Sequence, residues 1–224
     1  MARTLRQLGQ QKVSRGQPGS EPEAHGTGLC GYLLPSQTGS KYTVGALDGI
    51  VRSGKALYVG ISNYNKEQTI AAAELFKELG TPFIINQRKY SMFVRDIEKD
   101  GLKDYAAAHG IGIITFSPLA QGLLTDRYLH GIPEDSRVRT DGRFLKEAAI
   151  VEETLKKVRA LNDLAAQRGE KLADMALGWL LQHKEVTSVL IGASKPSQIL
   201  DNIGIVHATA FSEEERRRIE EILA

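Results

Sequence analysis

Cysteine is nearly missing from this chain. Cys30 is the single one in 224 residues, which excludes an internal disulfide and a thiolate metal cluster. A charge excess of one sign is missing too. The 29 Lys and Arg against 27 Asp and Glu leave +2, too little to argue for nucleic acid or an anionic membrane surface as a partner. Long apolar runs are absent: the longest, such as Ile111 to Phe116, are the size of strands and not of membrane spans. Basic residues near Met1 are not followed by an apolar stretch, so no secretory signal is read there, and a cytoplasmic location is the simplest expectation. No Gly-x-Gly-x-x-Gly follows any strand-like segment, which argues against a Rossmann dinucleotide site. The five histidines are scattered without ligand spacing. None has a carboxylate and a nucleophile nearby in sequence, so no catalytic histidine and no metal site are expected.

What is present is ordinary for a globular protein: 42% hydrophobic and 25% charged residues. The length suffices for one good-sized core or two small ones. Composition changes near residue 43. Residues 1 to 43 are rich in Gly, Gln, Ser and Arg with little apolar periodicity, the signature of a disordered segment. From Val44 onward short apolar strands alternate with helices. The pattern predicts strands at 56–61, 82–87, 111–116 and 187–191. It predicts helices at 44–53, 66–79, 101–109, 147–168, 172–183, 196–203 and 212–223. Gly54, Gly80 and Gly110 read as helix stops. Ser212 with Glu215 three residues on reads as a capping box. Such alternation means parallel β/α units, either part of a closed barrel or a small open sheet.

The strand ends carry polar residues: Ser62-Asn63-Tyr64, Asn86-Gln87-Arg88 and Ser117-Pro118-Leu119. In a parallel barrel these ends face the active site. Their hydroxyls and amides suit an uncharged polar ligand such as a carboxamide. They are equally compatible with turn-forming caps. The fourth strand runs into Gly192-Ala193-Ser194-Lys195-Pro196-Ser197-Gln198. A small-residue turn opening a helix offers free N–H groups to an anion, with Ser194 and Lys195 as added donors; a plain Ser-capped helix is the alternative. The segment from Gln121 to Leu145 is long for a βα connection and holds four arginines, Arg127, Arg137, Arg139 and Arg143. It reads as a functional loop or a solvated one.

Three runs then carry a resemblance: Ser53 to Tyr64 (SGKALYVGISNY), Thr115 to Thr125 (TFSPLAQGLLT) and Val189 to Ser194 (VLIGAS). Together they resemble the aldo-keto reductases, in particular the bacterial glyceraldehyde-3-phosphate reductase type and the related beta subunits of voltage-gated potassium channels. The resemblance covers residues 44 to 224. It implies α/β architecture, a partial (β/α)8 TIM barrel comprising strands five to eight, and an NADP(H) cofactor bound without a Rossmann fold. It implies that Ser62, Asn63 and Gln87 hold the nicotinamide carboxamide and that Phe116 stacks on the ring. Ser117, Pro118, Leu119, Ala120 and Gln121 would line the pyrophosphate path, with Arg127 and Arg137 as a belt over the cofactor. Gly192, Ser194, Gln198, Asp201 and Asn202 would hold the adenosine and its 2′-phosphate. Family chemistry is reduction of small aldehydes and ketones by hydride transfer. A Tyr supplies the proton, tuned by a Lys and an Asp, and a His orients the substrate. A phenol of pKa about 10 needs such neighbours to act near neutrality. That quartet belongs to the first four strands, so no catalytic residue is assigned here.

The same resemblance suggests that residues 1 to 43 are translated out of frame. Joining the last two bases of each codon to the first of the next turns Met1-Ala2 into Trp. Family-like codon choices are permitted throughout the rest, and Ser36 then takes the place of the His-bearing strand end. On this reading the chain is a truncated, catalytically silent reductase whose half-barrel exposes sheet edges and invites self-association. A non-catalytic NADP(H)-binding or regulatory module, and a small open α/β domain with an unrelated ligand, remain as alternatives.

Overall fold

The structure, a computed structural model, describes residues 30–33, 41–129, 151–193, 196–207 and 209–224. It divides into two compact units, one comprising residues up to Gln87 with Ala108–Ile111, the other Arg88–Ala107 with Gly112–Ala224.

In the first unit, β1 (Cys30–Leu33), β2 (Ala56–Ser62) and β3 (Phe83–Lys89, whose last two residues belong to the second unit) are connected through α1 (Lys41–Arg52) and α2 (Lys66–Leu79). β1 pairs parallel with β2, Tyr32 opposite Tyr58. β2 pairs parallel with β3, Ser62 opposite Gln87. Parallel neighbours need a crossover, and each helix supplies one. α1 and α2 bury one stripe each: Val44 and Leu47 from the first, Ala72 and Phe76 from the second, against Val59 and Ile61 of β2. Phe76 stacks on Phe83 at 5.3 Å. α2 begins with Asn65, whose side chain accepts from the Gln68 amide while Gln68 returns the bond, and it stops at Gly80 with φ 70°, a conformation that costs glycine little. Arg52 and Thr81 both donate to Asp48, at 2.7 and 2.6 Å, tying α1 to the turn before β3. Those two bonds hold the Asp48 carboxyl below the usual carboxylate range.

The second unit contains α3 (Asp96–Lys99), most of α4 (Leu102–Ala108), β4 (Gly112–Phe116), α5 (Glu152–Gln167), α6 (Leu172–Leu181), β5 (Val186–Val189), α7 (Pro196–Ile203) and α8 (Glu213–Leu223). β4 and β5 run parallel with Thr115 opposite Val189. α6, LADMALGWLL, is apolar on nearly every side and is buried on nearly every side, as such a helix must be. α5 buries only the stripe Val158, Leu161, Leu164 and Ala165. Its exit is clamped by Arg168, whose side chain is 5% exposed. The guanidinium donates to Glu170, Glu215 and the Thr209 carbonyl and lies over Phe211 at 4.0 Å. A cation so buried persists because every face of it has a partner. Ser212 and Glu215 form the capping box of α8.

The helices read from the sequence at 66–79 and 196–203 stand at those residues. Among the described strands and α-helices, two were not anticipated: β1, inside the segment whose composition suggests disorder, and the single-turn α3; nor were the 3-10 turns at Ala120–Gly122, Asp126–Tyr128 and Gly204–His207. α1 starts at Lys41, three residues before the expected helix. Residues 130–150, which include the expected start of the long helix at 147, lie outside the described residues.

Candidate functional site

The polar strand ends are built differently in each unit. In the first, the register that sets Ser62 opposite Gln87 places a hydroxyl and an amide on neighbouring strand ends. The next residue, Asn63, turns the chain with φ 62°, a left-handed value that Asn tolerates better than most residues. Its amide donates to the Gln87 carbonyl at 2.9 Å, which extends the ladder one step past the strand. Ser62 is buried, Asn63 and Gln87 half-buried. All three are neutral, and together they offer N–H and O–H donors and carbonyl and hydroxyl acceptors. That donor set matches a primary carboxamide, which carries two N–H donors, one acceptor and no charge.

Tyr64 and Asn86, named among the polar strand ends in the sequence but given no role of their own, both stand behind this trio. Asn86 is fully buried and its Nδ2 donates to the Tyr64 carbonyl at 3.0 Å and to Thr69 Oγ1 at 2.9 Å. Tyr64 is 1% exposed, and burial pushes its phenol up. What sets Asn86 apart in the sequence is that it directly follows the apolar strand run Phe83-Ile84-Ile85.

In the second unit, β4 ends at Phe116 and the chain turns sharply through Ser117, Pro118, Leu119, Ala120 and Gln121. Ser117, Ala120 and Gln121 have φ of 54°, 47° and 61°. Three left-handed non-glycine residues in five positions cost about 1–3 kcal/mol each. The surroundings over-determine the turn: Gly122 N donates to Leu119 O at 2.8 Å, Ala120 N to Ser117 O at 3.0 Å, and Gln121 Nε2 to Ser117 Oγ at 2.8 Å. Pro118 and Ala120 are buried, as are Leu123, Leu124 and Tyr128 behind them. Thr115, one residue before Phe116, is fully buried. Residues held in such sparsely populated conformations cluster at functional sites in proteins generally. Arg127 is exposed; Arg137 and Ser194 lie outside the described residues. β5 opens into exposed Gly192, and α7 carries exposed Gln198 and Asp201 with half-buried Asn202. Asp201 sits 3.6 Å from Lys171, both well exposed, a pair of little energetic weight.

A second polar cluster in this unit was not anticipated. The Tyr90 hydroxyl, on a fully buried residue, donates to Glu98 Oε1. Arg95 holds Glu98 Oε2 at 2.6 Å and Glu220 of α8 at 2.5 Å and lies over Trp179 at 5.3 Å. Lys103 Nζ is 3.2 Å from His183 Nδ1. An ammonium can only donate, so Nδ1 is the acceptor and His183 carries its proton on Nε2. Burial would raise Glu98, but the bonds from Arg95 and Tyr90 outweigh it and hold the carboxyl low. Burial and then Glu98 push Tyr90 up; burial and then Lys103 push His183 down. Above this network opens a cavity of about 950 Å3. Among its lining groups, Lys89, Arg95, Lys99 and Lys157 are matched by Asp96, Glu98, Glu153 and Glu220, so it favours no ion of either sign. Among the described residues no group of His, Cys, Asp and Glu could hold a metal ion, and no helix is long and apolar enough to cross a membrane.

Comparison with known proteins gives this geometry a family. The model of the aldo/keto reductase family matches residues 32–224. L-glyceraldehyde 3-phosphate reductase of Escherichia coli strain K12 is 45% identical over 196 residues, 86% of this chain and 57% of that protein. A probable voltage-gated potassium channel subunit beta of Oryza sativa subsp. japonica is 35% identical over 165 residues, 72% of this chain and 50% of that one. The chain thus spans about half the length of these curated relatives. Among solved structures, a glycerol dehydrogenase of Gluconobacter oxydans superposes with a TM-score of 0.69 at 26% identity, covering 86% of this chain and 58% of that one. Members of the family generally use a nicotinamide cofactor. The chain belongs to the aldo/keto reductase family.

Proposed function

We propose that this chain carries the NADP(H)-binding part of a reductase that converts small aldehydes or ketones to alcohols. The observation that carries the reading is the set of uncharged donors and acceptors at the ends of β2 and β3, Ser62 opposite Gln87 with Asn63 beside them. The 45% identity to a glyceraldehyde 3-phosphate reductase supports it. A nicotinamide bound there supplies hydride to a carbonyl carbon. Ser62, Asn63 and Gln87 orient its carboxamide by hydrogen bonds. By family resemblance Phe116 is assigned to stack on the nicotinamide ring, and the strained turn from Ser117 to Gln121 to the pyrophosphate. By the same resemblance Gly192, Ser194, Gln198, Asp201 and Asn202 are assigned to the adenosine side, and Arg127 and Arg137 to a belt over the cofactor. In the same reading, residues 44–224 are strands five to eight of a (β/α)8 barrel with their helices, in a cytoplasmic protein. Of residues 1–43, which the resemblance reads as out of frame, those from 32 onward fall within the family match, so the out-of-frame reading applies most directly to the residues before them. Codons for residues 1–48 that exclude the family-like reading would overturn that last point.

No group of this chain is assigned to proton transfer, so the 224 residues by themselves are expected to bind cofactor without turning over substrate. The match to a potassium channel beta subunit favours a related second reading, a non-catalytic NADP(H)-binding or regulatory module. Calorimetric titration with NADPH and NADH, followed by an assay with DL-glyceraldehyde, separates these. Tighter binding of NADPH than NADH without turnover is expected. Turnover would reject the silent-chain reading, and binding of neither cofactor would reject the whole assignment. Sedimentation velocity on the same sample tests the self-association expected of exposed sheet edges.

A further inference from the structure

Asn86 and Gln87 are adjacent on β3, so their side chains leave opposite faces of the strand. Gln87 is half-buried at the strand end, while Asn86 points away from it and is fully buried. The segment between them and α2 is Ser62-Asn63-Tyr64-Asn65. Its front is fixed by the Asn63 amide on the Gln87 carbonyl, at 2.9 Å. Its back is fixed by Asn86 Nδ2, which donates one hydrogen to the Tyr64 carbonyl at 3.0 Å and the other to Thr69 Oγ1 at 2.9 Å. Thr69 Oγ1 passes its own hydrogen to the Asn65 carbonyl at 2.7 Å, and the Asn65 side chain caps α2 on the Gln68 amide at 2.9 Å. One nitrogen therefore anchors the back half of a turn whose second residue, Asn63, stands at φ 62°.

The chemistry of this position is narrow. A backbone carbonyl only accepts, so the atom facing Tyr64 must donate, and the orientation of the amide follows from its partner. Two hydrogens on one short, planar nitrogen are needed. Asp has the same shape and supplies none; Ser supplies one. The Asn86 Oδ1 has no partner among the described residues. A buried acceptor left so is a cost, and it is tolerated here because the donor side of the amide does the holding.

We propose that Asn86 is a positioning residue. By donating both Nδ2 hydrogens it keeps Asn63 in the left-handed conformation and so presents Ser62, Asn63 and Gln87 as a preformed, uncharged receptor for a primary carboxamide. The carboxamide part rests on the nicotinamide-binding reading above; the positioning part does not.

The test uses the full chain and Asn86→Asp, which keeps the shape and removes both donors. Hydrogen exchange at the Asn63 amide reports the turn without any ligand. Binding of NADPH against 2′,5′-ADP, which lacks the nicotinamide end, reports the receptor. Expected in Asn86→Asp are exchange at Asn63 faster by about tenfold or more, NADPH affinity lower by about tenfold or more, and unchanged affinity for 2′,5′-ADP. Asn86→Ser, with one donor, should fall between the two and decides the question if the Asp variant does not fold. Wild-type exchange at Asn63 in the variant overturns the proposal, as does an equal loss for both ligands. If the unaltered chain binds neither ligand, the nicotinamide reading fails and takes the receptor with it, while the exchange measurement still decides the positioning role.

Discussion

Around the end of β2 the first unit buries hydroxyls and amides: Ser62, Thr69 and Asn86. Asn86 and Thr69 bond to backbone carbonyls and to each other, and none of the three carries a formal charge. Around α3 and α4 the second unit gathers Tyr90, Arg95, Glu98, Lys103 and His183, joined to Glu220 on α8. Neutral groups are cheaper to desolvate and keep one geometry at every physiological pH. Charged groups bond more strongly but must be paired completely, and their strength depends on protonation. The first arrangement suits a surface that must present fixed donors to a neutral ligand. The second suits a fastening between segments far apart in sequence.

Substitutions sharpen that contrast. Trp179 is 2% exposed and contacts Tyr90, His183 and Arg95. Trp179→Ala removes the apolar floor of the charged cluster and should cost about 3–5 kcal/mol, read as a lowered denaturant midpoint. A loss under about 1 kcal/mol would mean the cluster does not depend on that floor. Glu98→Ala leaves the Tyr90 hydroxyl and the Arg95 guanidinium short of a partner. It should cost about 2–3 kcal/mol, toward the low end for a buried pair because both side chains keep some exposure. In the neutral cluster, Thr69→Val keeps the volume but strips an acceptor from Asn86 and a donor from the Asn65 carbonyl. About 1–2 kcal/mol is expected, and the loss should be the same at acid and neutral pH. A pH-dependent loss would break the contrast between the units.

The smallest effect concerns His183. Burial and the Lys103 ammonium hold its pKa below the ordinary value near 6.5; Glu98 and Glu185 oppose them, and Arg95 adds to the lowering. The folded chain therefore takes up this proton less readily than the unfolded one. Its contribution is complete above the unfolded pKa and is lost as pH falls below about 6.5. Denaturation midpoints measured from about pH 8 down to about pH 5.5 should decline, and His183→Gln should flatten that decline. An unchanged slope in the variant would assign the decline to other groups.

Much of this was readable in advance because it is local. Asn65 and Gly80 bracket α2 in the chain as they do in space, and the Ser212–Glu215 box needs only three residues. The charged cluster was not readable, since Arg95 and Glu220 stand 125 residues apart and nothing in either neighbourhood points to the other. Asn86 was noticed only as part of a polar strand end. Whether an amide there faces a ligand or supports the residues that do depends on which side of β3 is covered, and a single strand does not carry that information. β1 escaped notice because four residues in a Gly- and Ser-rich context have too short a period to stand out.

The sequence by itself determined the alternation of strand and helix, the helix ends and the three motif runs that identify the family, because each depends on residues within a few positions of one another. Tertiary structure alone decided that Ser62 stands opposite Gln87, that Asn86 is buried behind the turn it holds, and that Tyr90, Glu98, Arg95 and Glu220 share one network. Register and burial are properties of pairs of elements, and long-range pairing is set by packing and desolvation rather than by local preference.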